Sequence, residues 1–289
     1  MSMLRRRKKG AKGRLPVALP PGASAPPGAP PASRRRPRPG VQVPSPLIVD
    51  EPPLAIAPKP ERAPRAAKAR EAEVVLVTGF DAFCGEKVNP SWEVCTRLAK
   101  SIAGLRVETA RVPCEFRRAI EAVAEAIERH HPSLVVCLGQ AGGRAHLGVE
   151  RVAINLDDAR VEDNAGARPI DEPIAAQGPP AYFSTLPIKA MVEAMRAAGV
   201  PAEVSNSAGT YVCNHLMYGV LHYVANRGEK AERRTRAGFI HVPYCEEQVL
   251  DKPAIAAMSI ATMVKGVEAA IVAASRHESD LKIEGGTLD

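Results

Sequence analysis

Residues 115–139, EFRRAIEAVAEAIERHHPSLVVCLG, decide the fold class. In their first part Phe116, Ile120, Val123, Ala124 and Ile127 recur at three- and four-residue steps, which places them on one face of a helix over residues 115–131. Pro132 cannot continue a helix and closes it. Leu134, Val135, Val136, Cys137 and Leu138 follow without a polar interruption, and Gly139 ends the run. A run this short and this apolar reads as a strand covered on both faces, as in a parallel sheet between two helical layers.

The alternation continues in both directions. Residues 74–77 (VVLV) read as a buried strand that ends at Thr78-Gly79. A helix begins at Pro90, a residue favoured in a first turn, with Val94 and Leu98 one four-residue step apart. Residues 107–112 form a second strand. Downstream come a short strand over 149–156, a helix over 187–198 stopped by Gly199, and a strand over 202–204. A helix over 212–226, a strand over 238–242 and a final helix over 255–275 complete the pattern. Residues 71–289 are therefore expected to form an α/β unit, a single-domain three-layer α/β/α sandwich around a mostly parallel, twisted sheet. Sites in such sheets gather at the carboxyl ends of strands, and segments 78–79, 139–144, 206–210 and 241–243 begin at such ends.

The first 70 residues are of another kind. They hold 16 of the 39 Lys and Arg but only Asp50, Glu51 and Glu61 as acids, with 16 prolines and no aromatic residue. Their net charge is +13, and the other residues carry −6, so the overall +7 belongs to this extension. Such a composition builds no core and predicts a disordered, basic, Pro-rich extension over 1–70. No apolar stretch follows the basic start Arg5-Arg6-Arg7-Lys8-Lys9, and no run reaches the roughly 18 residues of a membrane span, so neither a secretory signal nor a membrane partner is expected. Nucleic acid is expected as a partner only through this arm, for which a solvated tail is the simpler reading. The six cysteines (84, 95, 114, 137, 213, 245) show no CxxC pair, which suits a reducing cytoplasm and argues against a structural metal.

Among the cysteines, Cys137 lies inside an apolar strand and reads as core, and Cys95 and Cys114 have no obvious catalytic partner. Cys245 follows His241 by four residues in a loop and is a weak candidate. Cys213 follows the small turn Ser207-Ala208-Gly209-Thr210 and opens an apolar helix. Its sulfur is thus expected in a first helical turn, where the dipole and free N–H groups lower a thiol pKa from about 8.5 toward neutrality and can hold an oxyanion. A thiol nucleophile needs a base. His130, His131 and His277 lie at helix ends or in the tail, His215 and His222 lie on the helix of Cys213, and His146 follows a Gly-rich segment. His241, released at the end of the apolar strand 238–242, is the remaining histidine, with a satisfied core histidine as the alternative. Glu150 sits among apolar residues, where an unpaired carboxylate is costly, and would orient such a histidine unless it pairs with Arg151 instead. The residues alone leave these alternatives open.

Four segments at these positions resemble the pyroglutamyl-peptidase I family of cysteine peptidases. They are Gly79-Phe80-Asp81-Ala82-Phe83 with Asn89-Pro90-Ser91-Trp92; residues 139–144 with 150–155; residues 207–214; and Phe239-Ile240-His241-Val242-Pro243-Tyr244. The resemblance runs over residues 73–275, in order. It implies Cys213 as nucleophile, His241 as general base and Glu150 as the orienting acid. It implies that Phe80, Phe83, Val161, Tyr211 and Val212 wall a pocket, with Gln140 and Asn89 near the lactam and its supporting loop and Arg160 near the oxyanion or that loop. It also implies N-terminally pyroglutamylated peptides as substrates, no metal or organic cofactor, and a homotetramer. Ala82 and Cys84 stand where Pro and Gly are usual, and Cys245-Glu246 where a hydrophobic residue and Pro are usual. If the loop 80–85 lines the pocket, Cys84 is expected to bring a second thiol close to Cys213. Two other readings compete: an α/β domain that has lost activity and carries a binding arm, and a hydrolase for a different acyl group.

Overall fold

The computed structural model describes residues 73–227 and 234–286, so the 1–70 extension lies outside the described residues. In chain order the elements are β1 (Val74–Phe80), α1 (Pro90–Arg97), β2 (Ser101–Ile102), β3 (Leu105–Val112), α2 (Arg118–His130), β4 (Leu134–Gln140), β5 (Leu147–Glu150) and β6 (Val152–Ile154). They continue with β7 (Ala181–Phe183), α3 (Ile188–Ala197), β8 (Ala202–Ser205), α4 (Val212–Asn226), β9 (Arg236–Val242), a 3-10 turn (Glu246–Val249) and α5 (Ile260–Arg276).

The main sheet runs β2-β3-β1-β4-β9-β5-β8. Pairs β1–β3, β1–β4, β4–β9 and β5–β8 are parallel, while β2 runs antiparallel to β3 and β5 to β9. Its strands read as unbroken apolar runs because both faces are covered. On β4, Leu134, Val136 and Leu138 face one core with α1, α3 and α5, and Val135 and Cys137 face the other with α2 and α4. The three layers expected from the alternation are present.

Three boundaries differ from the sequence reading. The helix expected from residue 115 begins at Arg118, because the positive φ of Arg117 is incompatible with a right-handed helix; the Phe116 N–H donates to Asp163 Oδ2 (2.8 Å) and the Arg117 N–H to His215 Nε2 (2.8 Å). Those donors serve tertiary contacts, and Arg117 takes a left-handed φ of 64° before the helix starts. The strand expected over 149–156 divides at Arg151: β5 joins the main sheet and β6 pairs with β7 in a separate antiparallel ribbon. The last helix starts at Ile260 rather than 255, since Ser259 caps it by accepting from the Thr262 N–H at 3.1 Å.

Candidate active site

The carboxyl ends of β4 and β9 meet in register, with Gly139 opposite His241. Alternation along β9 puts His241 on the same face as Ala237 and Phe239, the face covered by α4. Cys213 is the second residue of α4, in its first turn as expected. A Cβ built on Gly139 would stand 2.9 Å from Cys213 Sγ and 2.6 Å from the Phe239 ring. The thiol therefore lies directly over the missing side chain of the residue paired with His241. Glycine at this position is a space requirement.

β5 supplies the third group. Leu147 and Val149 pack into the core formed with α1, α3 and α5, so Gly148 and Glu150 face the opposite side, and Gly148 pairs with His241 across the antiparallel ladder. Glu150 has no exposed surface. Its Oε1 accepts from His241 Nδ1 at 2.7 Å and from Arg144 Nη1 at 3.2 Å. Nδ1 is thus the protonated nitrogen of the neutral ring, and Nε2 is the nitrogen left to exchange a proton. The alternative pairing with Arg151 does not form: Arg151 bonds Asn206 and the Gly285 carbonyl.

Cys213 and His241 share a cavity of about 180 Å3 with Phe80, Phe83, Asn89, Cys114, Gln140, Ala208 and Tyr211. Burial pushes the Cys213 thiol above its ordinary value; Cys114 and Glu150 add to this, and Arg144 pulls the other way. The Cys213 side chain is half-buried, beside Phe239 and Gly139 at the cavity wall. Burial likewise pushes the Cys114 thiol up to about 12, with Asp163 contributing.

The other expected residues are distributed unevenly. Val212 is fully buried among the residues beneath α4, and Val161 (44% exposed) and Arg160 lie on an exposed loop; none of them lines the cavity. Asn89 lines it, but its amide serves the loop: Oδ1 accepts from the Ser91 N–H and Oγ, and Nδ2 donates to the Asp81 carbonyl. Cys84 is exposed and does not line the cavity; the second thiol there is Cys114, brought in by the tertiary bonds that hold Phe116 and Arg117. His146 pairs with Glu203 at 2.7 Å, and His215 with Asp157 at 2.8 Å. Arg144 was not singled out from sequence; the one available signal was a lone cation in a Gly-rich segment after a strand. A larger opening of about 580 Å3 beside Ile120 and Tyr218 is lined by no cysteine, serine or carboxylate.

Comparison with known proteins agrees with this geometry. A family model described as pyroglutamyl peptidase matches residues 73–277. The pyrrolidone-carboxylate peptidase of Erwinia tasmaniensis is 49% identical over 213 residues, covering 73% of this chain and 97% of that one. Its namesake from Alkaliphilus oremlandii is 50% identical over 214 residues, 74% and 99% of the two chains. The crystal structure of pyroglutamyl peptidase I from Bacillus amyloliquefaciens superposes with a TM-score of 0.69 at 44% identity, over 72% of this chain and 100% of that one. The chain belongs to the pyroglutamyl peptidase family, cysteine peptidases that take a pyroglutamyl residue from the N-terminus of peptides.

Proposed function

We propose that this chain releases N-terminal pyroglutamate with Cys213 as nucleophile, His241 as base and then acid, and Glu150 as the group that orients His241. The observation that carries this reading is the 2.7 Å bond from His241 Nδ1 to the buried Glu150, in a small cavity that also holds Cys213. His241 Nε2 takes the thiol proton as sulfur attacks the carbonyl outside the ring. The negative oxygen that forms is held by first-turn N–H groups of α4, whose cap has no side-chain acceptor to occupy them. The tetrahedral intermediate then expels the peptide amine, which takes the proton from His241, and leaves a thioester. Water, deprotonated by His241, attacks the thioester and returns free thiol and pyroglutamate. No step calls for a metal or an organic cofactor.

The apolar walls Phe80, Phe83 and Tyr211 suit a small uncharged ring. An ordinary peptide N-terminus would carry an ammonium into this cavity, at a cost of several kcal/mol if unpaired. A fluorogenic pyroglutamyl amide, assayed with wild type and Cys213→Ser, is the direct test. Release by wild type and none by the variant is expected. A folded wild type with no thiol-dependent release would favour the inactive or altered-specificity readings.

The catalytic unit in this reading is residues 71–289. A cytoplasmic location is part of this reading, and the six free thiols suit a reducing compartment; among the described residues no helix is long and apolar enough to cross a membrane. The homotetramer rests on resemblance and is tested by light scattering. A nucleic-acid role for the arm predicts salt-sensitive binding that is lost on deleting residues 1–70.

A further inference from the structure

Gln140 reaches the cavity from the end of β4, and its side-chain amide has one accepting end and one donating end. Which end faces a ligand is decided by the neighbouring Gln248, a buried residue of the 3-10 turn. Gln248 Oε1 accepts from the Cys245 N–H at 3.1 Å and from Cys245 Sγ at 3.4 Å. Gln248 Nε2 donates to the Val88 carbonyl at 3.4 Å and to Gln140 Oε1 at 2.9 Å. A backbone N–H only donates and a backbone carbonyl only accepts. Turning the Gln248 amide over would set donor against donor at Cys245 and acceptor against acceptor at Val88, each a buried mismatch. The orientation of Gln248 is therefore fixed by the main chain at both ends. It fixes Gln140 in turn, because Gln140 Oε1 must accept. Gln140 Nε2, which has no hydrogen-bond partner among the described residues, is the end left for a ligand.

We propose that Gln248 is a positioning residue for substrate selection: held by Cys245 and Val88, it makes Gln140 present an N–H donor to the cavity. This rests on the pyroglutamyl peptidase reading of the site. The ring carbonyl of pyroglutamate supplies the matching acceptor. A proline ring has a methylene there and leaves the donor unpaired, so the relay selects the lactam over a saturated ring of nearly equal size.

The test is steady-state hydrolysis of a fluorogenic pyroglutamyl amide by full-length wild type and Gln248→Glu, measured from acid to alkaline pH. The replacement has the same shape and still accepts from the Cys245 N–H. When ionised it faces Gln140 with an acceptor, so the Gln140 amide turns over; when protonated it donates to Gln140 as Gln248 does. The KM of Gln248→Glu is expected to exceed that of wild type by about tenfold or more at alkaline pH and to approach it at acid pH, with kcat changed much less. An active wild type and a KM ratio that stays flat with pH overturn the positioning role alone. A wild type that releases no amine overturns the peptidase reading beneath it. Should Gln248→Glu not fold, side-chain amide NMR of wild type under a pyroglutamate titration decides. The Gln140 NH2 signals are expected to move while those of Gln248 stay protected from exchange, and unmoved Gln140 signals at saturation overturn the proposal.

Discussion

His241 Nδ1 donates to Glu150 Oε1 across 2.7 Å, and Glu150 has no exposed surface. The carboxylate can then do two things at once: hold the ring with Nε2 free, and stabilise the imidazolium that forms as sulfur attacks. Glu150→Gln keeps the shape but allows the amide to offer an N–H, which favours the wrong tautomer. Its kcat on a pyroglutamyl amide should fall by roughly 10^2- to 10^4-fold with a thermal midpoint near that of wild type. A loss smaller than about fivefold would show that Glu150 is structural.

Arg144 reaches the same oxygen at 3.2 Å and opposes the rise of the Cys213 thiol. Arg144→Met removes that cation and leaves Glu150 with a single partner. Without Arg144 the thiol pKa rises further, so less thiolate is present at any given pH. The pH profile of Cys213 alkylation by iodoacetamide should move to higher pH, and kcat/KM near neutrality should drop about tenfold, recovering in part as pH rises. A profile displaced to lower pH would contradict this account of the site's electrostatics.

How much of this could be read in advance depends on whether a feature is local. The buried strands show as apolar runs because a parallel sheet is covered on both faces, so β1, β4 and β9 are legible from residues 74, 134 and 238 onward. Cys213 is legible as a first-turn thiol because Gly209 and the apolar helix flank it. The union of Glu150 with His241, 91 residues away, is a product of the order β9-β5 in the sheet and of an antiparallel register, neither of which spacing encodes. Arg144 and Gln248 stayed hidden for the same reason: each matters through one side-chain partner supplied by tertiary structure. The first-turn position of Cys213 is legible because it is local, whereas the burial that pushes its thiol up comes from tertiary structure.

Gly139 tests the packing over the sheet. Its Cβ would meet Cys213 Sγ at 2.9 Å and the Phe239 ring at 2.6 Å, and Phe239 is itself fully buried. Gly139→Ala must displace one or the other. The expected cost is about 1–3 kcal/mol of stability, read by chemical denaturation, together with a larger loss in kcat than in KM because the nucleophile shifts relative to His241. Unchanged kcat in a destabilised variant would mean that Phe239 yields and the thiol keeps its place.

The loop that carries Cys84 makes the opposite prediction. Cys84 adopts a φ of 55°, a left-handed conformation that costs a residue with a Cβ and that glycine adopts freely, and its side chain is exposed. Cys84→Gly relieves that strain, offset in part by the greater freedom of glycine in the unfolded chain, so stability should rise by up to about 1 kcal/mol. Because Cys84 lies outside the cavity, kcat/KM should change less than twofold, and sensitivity to peroxide should be that of wild type. Cys114 does line the cavity, so any thiol whose removal alters peroxide inactivation of Cys213 should be Cys114. If Cys84→Gly alone protected the enzyme, the loop would have to swing its thiol into the cavity, and the exposed placement of Cys84 would describe only one of its positions.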